Sequence, residues 1–199
     1  MNKSRLESFS DGVFAIIITI MVLEIEAPHR TDATVLAGMI PIFLSYLLSF
    51  IYVAIYWINH HMLVAATRKI NNRVLWSNLN LLFWLSLIPF ATAWVNENHI
   101  SSVPVATYGL VLLMCSLSFR MLEIRLFNER DANKVIVGIL ERGTKEKVSI
   151  VMYFLAIGLA FVHPFLSLGI YVGLAGWWFI PNKKLEALLR DHDICDVEK

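Results

Sequence analysis

The chain has only 2 cysteines among its 199 residues, Cys115 in an apolar run and Cys195 in a charged tail. Segments of such different polarity predict no disulfide, and no metal-ligand spacing accompanies them. Net charge is equally scarce, +1 in total. That excludes a nucleic-acid binder working through bulk charge, so no nucleic-acid partner is expected. The sequence has no nucleotide-binding glycine pattern, no serine or cysteine nucleophile with an evident base, and no His-Glu zinc motif. An enzyme is therefore not expected, nor a resident metal or cofactor. Internal repeats are lacking too, since the Phe9-Ser10-Asp11 triplet occurs once. The first apolar run lacks a small-residue cleavage site and reads as body rather than signal peptide. What the chain has in abundance is apolar surface. Apolar residues make up 57% of it and the mean hydropathy is +0.62, far above a soluble domain.

A membrane-spanning helix needs about 20 largely apolar residues. Six stretches qualify, at about 9–25, 35–58, 74–95, 103–119, 148–162 and 165–180. Pro41 lies near the entry of the second, Pro89 near the exit of the third, and Pro104 in the first turn of the fourth, where a missing N–H does no harm. His163-Pro164 predicts a tight hairpin between the last two. The fold class is thus all-α, a polytopic membrane protein with six transmembrane helices in one domain, 1–199. Residues 120–147 form a polar cytoplasmic segment, read as an extension of the fourth span and an amphipathic turn. Residues 181–199 form a cytoplasmic tail. With both termini in the cytoplasm, 16 of the 17 basic residues fall on that side and only Arg30 falls outside. Trp76 and Trp94, near the two ends of span three, fit interfacial anchors. The expectation is a multi-pass plasma-membrane protein in contact with the lipid bilayer.

The first span carries the chemistry. At 100° per residue, Arg5, Phe9, Gly12, Ile16, Ile20 and Leu23 share one narrow stripe, with Asp11 nearly opposite and Thr19 at the border. An intramembrane carboxylate costs about 2.5–3.5 kcal/mol or more when unpaired, so the Asp11 face is expected to look into the subunit's own bundle. Topology brings Arg5, Ser10, Asp11, Asn59, His60, His61, Trp76, Asn78 and Asn80 to one depth. A histidine or an asparagine amide is the expected donor to Asp11, because Arg5 points to a different face. This cluster reads first as a structural hydrogen-bond network, next as a pH-sensitive element, last as a metal site. Adjacent His60 and His61 point about 100° apart, poor geometry for one ion. Ser45, Ser49, Ser86, Ser116 and Ser118 are expected to bond their own helix backbones. The aliphatic stripe has two readings from pattern alone: ordinary packing or lipid contact, and an apolar constriction that gates by dewetting. If the helix lines a pore, Glu24 or Glu26 places negative charge at its outer mouth.

The run Arg5-x-x-x-Phe9-Ser10-Asp11, with the apolar continuation of span one and the Trp57, His60 and His61 end of span two, resembles the signature of the transmembrane-protein-175 family of potassium channels. The resemblance covers span one closely and most of the chain coarsely. It implies a single-repeat prokaryotic member, a homotetramer, and a potassium-conducting pore lined by four copies of the first helix. No Thr-Val-Gly-Tyr-Gly run of ordinary potassium channels occurs. By the family pattern Ile16 forms the narrowest ring, Ile20 and Leu23 form further rings, and Thr19 bears on selectivity. Arg5, Ser10 and Asp11, with His60 or His61 and Asn78, would hold the helix without touching the ion. The implied function is a cation channel modestly selective for potassium over sodium. The alternative class is a cation or proton-coupled secondary transporter, for which paired broken helices or inverted repeats are expected and neither is legible.

Overall fold

The structure, a computed structural model, describes residues 3–28, 34–65, 67, 70–127 and 144–179. These residues form seven helices and no strand. They are α1 (Lys3–Leu23), α2 (Thr34–Ala65), α3 (Asn72–Leu85), α4 (Ile88–Glu97), α5 (Ser102–Phe127), α6 (Thr144–Ala160) and α7 (Pro164–Phe179). Lys3–Leu23, Val35–Ala65, Asn72–Glu97 and Ser102–Leu126 are long and apolar enough to cross a membrane, and Pro164–Phe179 is a shorter apolar helix. Arg30, Arg68, Lys69, most of the segment after α5 and the tail lie outside the described residues.

The third span departs from its expected form. It is broken at Ser86-Leu87 into α3 and α4, and Pro89 marks the first turn of α4 rather than the exit of a continuous helix. The reason is local. Pro89 has no N–H to offer the Leu85 carbonyl, and its ring crowds that carbonyl. The chain tightens instead, with Leu87 N bonding Trp84 O at 3.2 Å, before Ala91 N resumes the helix on Leu87 O at 3.0 Å. The start of α3 is capped by Asn71, whose side chain accepts from Val74 N at 2.9 Å. After α4 the chain turns through two left-handed residues, His99 and Ile100. Ile100 N reaches back to Val95 O at 3.2 Å, which satisfies a carbonyl at the end of α4. The His163-Pro164 connection is a tight hairpin, closed by His163 N on Leu159 O at 2.8 Å.

α5 is the hub, packed against α3, α4, α6 and α7. In its apolar window 67% of residues are buried, against 28% in α1 and 22% in α2. The two N-terminal helices are therefore peripheral and keep broad apolar surfaces uncovered. α1 docks on α2, α3 and α4 through Leu6, Ser10, Phe14, Ile17 and Met21, spaced at three and four residues as one helix face requires.

Some hydroxyls stay within their helix and others, buried, tie helices together. Ser45 and Ser86 bond their own helices, to Pro41 O and Phe83 O. Ser49 does not. It is fully buried and meets Thr92 Oγ1 at 2.7 Å and the Tyr108 hydroxyl at 3.0 Å, joining α2, α4 and α5. Ser118 likewise accepts from Asn80 at 2.6 Å across α3 and α5. Facing helices supplied closer partners than the backbone did. Tyr52 on α2 donates to Tyr171 O on α7 at 2.7 Å.

Gly109 sets the approach of α5 to α7. A Cβ there would collide with the Tyr171 hydroxyl and lie 2.8 Å from its Cζ and 3.0 Å from Ile157 Cγ1. Gly109→Ala should destabilise the bundle by about 1–3 kcal/mol through overpacking. Gly158→Ala, whose added carbon meets nothing within 4 Å, should hold or raise the melting temperature. Thermal melting of both variants in detergent checks the contrast.

Candidate functional site

The buried and exposed faces of α1 divide its candidate residues cleanly. Leu6, Ser10, Phe14, Ile17 and Met21 are at most 2% exposed. Ile16, Ile20 and Leu23, on another face, are 57%, 41% and 78% exposed, and Phe9 is exposed beside them. Thr19 is exposed at the border of this stripe, its hydroxyl donating to Ile16 O at 2.9 Å. The helix thus presents a continuous aliphatic strip away from its own bundle.

What fixes that rotation is a polar chain inside the bundle. Asn78 on α3 donates to Ser10 Oγ at 3.0 Å, and its carbonyl oxygen lies 2.7 Å from His60 Nε2 on α2. Ser10, Asn78 and His60 are all buried, and the His60 ring packs tilted on Phe14 at 5.7 Å between centroids. Three helices are therefore pinned by groups that have no water to fall back on. Lys3 adds a fastening at the end, donating to the last-turn carbonyl of Ala65 at 2.8 Å.

Asp11 takes a different place from the one expected. It is exposed at the edge of the α1–α2 contact rather than turned into the bundle, and its partner is Trp57, whose indole N–H donates to Oδ1 at 2.9 Å. The physical reason is the relative cost of burial. A serine hydroxyl with one partner is far cheaper to bury than a carboxylate, so Ser10 takes the inward position and Asp11 the rim. His61 is exposed and stacks loosely against Trp57, 6.2 Å between centroids. Arg5 is exposed and is not brought to Asp11. Asn59 bonds Ile55 O on its own helix, and Asn80 joins α3 to α5. Of the expected network, the structure unites Ser10, Asn78 and His60 and leaves Arg5, Asp11 and His61 outside it.

At the far end of α1, Glu24 and Ile20 line an open cleft of about 330 Å³ with Ser86, Pro89, Phe90, Ala93, Trp94 and Glu97. Ser86 and Pro89, at the break in the third span, border this recess, and Glu97 is an acidic neighbour that sequence spacing did not reveal. Glu26 is exposed beyond it.

Among the described residues the chain is all-helical, with four helices long and apolar enough to cross a membrane, a polar pin holding α1 and a bare aliphatic strip beside it. Comparison with known proteins gives the family. The model of the endosomal/lysosomal potassium channel TMEM175 family matches residues 5–89. A protein named potassium channel from Chryseobacterium sp. (strain P1-3) is 44% identical over 192 residues, covering 96% of this chain and 100% of the relative. Another protein so named, from Streptomyces collinus, is 32% identical over 88% of this chain and 91% of its own. A crystal structure of a lysosomal potassium-selective channel TMEM175 homolog from Chamaesiphon minutus superposes with a TM-score of 0.75 at 29% identity, over 88% of this chain and 95% of that one. The chain belongs to the TMEM175 family of ion channels.

The Asp11–Trp57 bond should be worth about 0.6–2 kcal/mol, the range of interhelical hydrogen bonds in membranes. Asp11→Ala and Trp57→Phe should each lower thermal stability or assembly yield, and the double variant should lose little more than either alone. Additive losses in a melting experiment would show that the two side chains act separately.

Proposed function

We propose that this protein is a cation channel that prefers potassium modestly over sodium, conducting through a pore lined by four copies of α1. The observation that carries this reading is the exposed strip of Ile16, Ile20 and Leu23, set about a third of a turn round the helix from a face locked by Ser10, Asn78 and His60. Lipid covers such faces on the other helices, where Leu36, Phe43, Val151 and Phe165 are equally exposed; the place of α1 at the axis rests on the relatives named potassium channels. Relatives named potassium channels, matched over nearly their whole length, support the same ion. In this reading the protein is a multi-pass protein of the plasma membrane with both termini in the cytoplasm. Its partners are potassium ions, lipid and three further copies of the chain. It needs no cofactor.

Ile16 forms the narrowest ring, with Ile20 and Leu23 forming two more toward the Glu24 end. Thr19, whose hydroxyl bonds the Ile16 carbonyl, bears on selectivity beside the narrowest ring. Glu24 and Glu26 gather cations at the mouth. Apolar rings cannot replace a hydration shell as carbonyl oxygens do. Discrimination then rests on ring diameter, partial dehydration and nearby dipoles, and it is weaker than that of a carbonyl filter.

One observation favours the second reading, a cation or proton-coupled transporter. The third span is broken, and discontinuous helices are a transporter device. The breaks in such transporters come in symmetry-related pairs, whereas this one stands alone among the described spans. Flux of potassium, sodium and caesium from liposomes separates the two. A channel passes cations down their gradients without fixed coupling; obligatory exchange for protons would favour the transporter. Ile16→Asn should wet and widen the constriction and reduce the potassium preference, read as a shift in bi-ionic reversal potential. Unchanged reversal potentials would count against Ile16 as the ring.

A further inference from the structure

The recess at the far end of α1 has a lining of two kinds. One part is aromatic. Phe90 and Trp94 stand one turn apart on α4, their ring centroids 5.8 Å apart and their planes 34° from parallel. Pro89, Ala93 and Ile20 extend the apolar lining, and Ser86 adds one hydroxyl, which already donates to Phe83 O. The other part is acidic. Glu24 follows the last residue of α1 and Glu97 closes α4, and both are exposed to water. Among the described residues no basic side chain borders the recess. At about 330 Å³ the space matches the lower end of small-molecule sites, which run from about 300 to 1,000 Å³ and combine apolar walls with a few polar groups.

We propose that this recess is a binding site for a free organic cation of the quaternary ammonium class. A hard metal ion takes about six to eight oxygen ligands in exchange for its water. The side chains here offer two carboxylates and one hydroxyl among apolar neighbours. A quaternary ammonium ion has the opposite needs. Its charge is spread over alkyl groups that carry no hydrogen-bond donor. Those groups lie on Ile20, Pro89 and Ala93, while the charge meets the faces of Phe90 and Trp94 and the field of Glu24 and Glu97. An uncharged ligand gains nothing from the carboxylates, and an anion is repelled by them. The same charges disfavour a lipid headgroup, because phosphocholine carries its phosphate beside its ammonium. A free cation carries no such penalty, and the exposed carboxylates draw it from water. Binding does not depend on α1 lining a pore, since every residue of the recess belongs to one chain.

The test uses the full-length protein in a maltoside detergent free of choline lipids, with radiolabelled choline as the probe in equilibrium dialysis. Wild type should bind the probe saturably. The uncharged tert-butyl analogue, in which carbon replaces the nitrogen, should fail to displace it. Trp94→Ala should weaken binding about tenfold, whereas Trp94→Phe, which keeps a ring face, should retain most of it. Glu24→Gln and Glu97→Gln, at exposed positions, should each weaken binding by about twofold to fivefold and leave the melting temperature unchanged. Wild type that takes up no probe saturably would overturn the site. So would equal displacement by the uncharged analogue, or Gln variants that bind as wild type does. Binding that is lost in phosphatidylcholine nanodiscs but kept in phosphatidylglycerol ones would give the recess to the lipid headgroup and overturn the free cation. None of these measurements uses ion flux, so a negative result leaves the channel reading standing.

Discussion

The hydrogen-bonded chain from His60 through Asn78 to Ser10 is the constraint on which the rest depends. A helix with an aliphatic face and little else to distinguish its sides can rotate at small cost in a membrane, because lipid tails are as apolar as leucine. Ser10 removes that freedom. Its hydroxyl meets Asn78 only when one face of α1 is turned inward, and Phe14 beneath it packs on the His60 ring. Once that face is chosen, Ile16 and Leu23 point away from the subunit and Ile20 stands at the edge of the recess beside α4. Asp11 then reaches Trp57 at the rim, where the carboxylate escapes full burial and still ties α1 to α2. The outward strip is therefore a consequence of polar packing on an adjoining face, not an independent feature.

The arrangement of the bundle follows the same economy. α5, with the most buried surface, carries its neighbours on all sides, and Gly109 lets α7 come close enough for Tyr171 to reach Val105 O at 3.3 Å. The hydroxyl ties of Ser49, Thr92 and Tyr108 hold α2 and α4 to this hub. α1 and α2 remain at the periphery, where the apolar surface they expose is available to lipid or to other copies of the chain. The third span is interrupted before Pro89, and beyond the interruption Phe90, Trp94 and Glu97 share a recess with Ile20 and Glu24 at the end of α1.

Much of this was legible in the sequence, and the parts that were not share a physical cause. Hydropathy located the apolar helices, four of them long enough among the described residues to cross a membrane, because a bilayer imposes a length on every helix that crosses it. The helical wheel isolated Ile16, Ile20 and Leu23 because 3.6-residue periodicity is geometric. Depth was readable as well, since topology alone put Ser10, His60 and Asn78 at one level. The choice among donors was not readable. Trp57 and His61 lie within one turn of each other, and only the packed backbone decides which reaches Asp11. Turning Asp11 inward overstated the pull of a carboxylate toward polar neighbours and understated its desolvation cost. Pro89 was visible, but whether a proline ends a helix or breaks it depends on what continues beyond.

The most direct measurement is the structure of the assembly in lipid by electron cryomicroscopy, at a resolution that shows the side chains of α1. Four subunits should surround one axis, with Ile16, Ile20 and Leu23 directed toward it and Ser10 turned back onto Asn78. An assembly in which those three side chains face lipid, with the axis lined by another helix, would contradict the central claim.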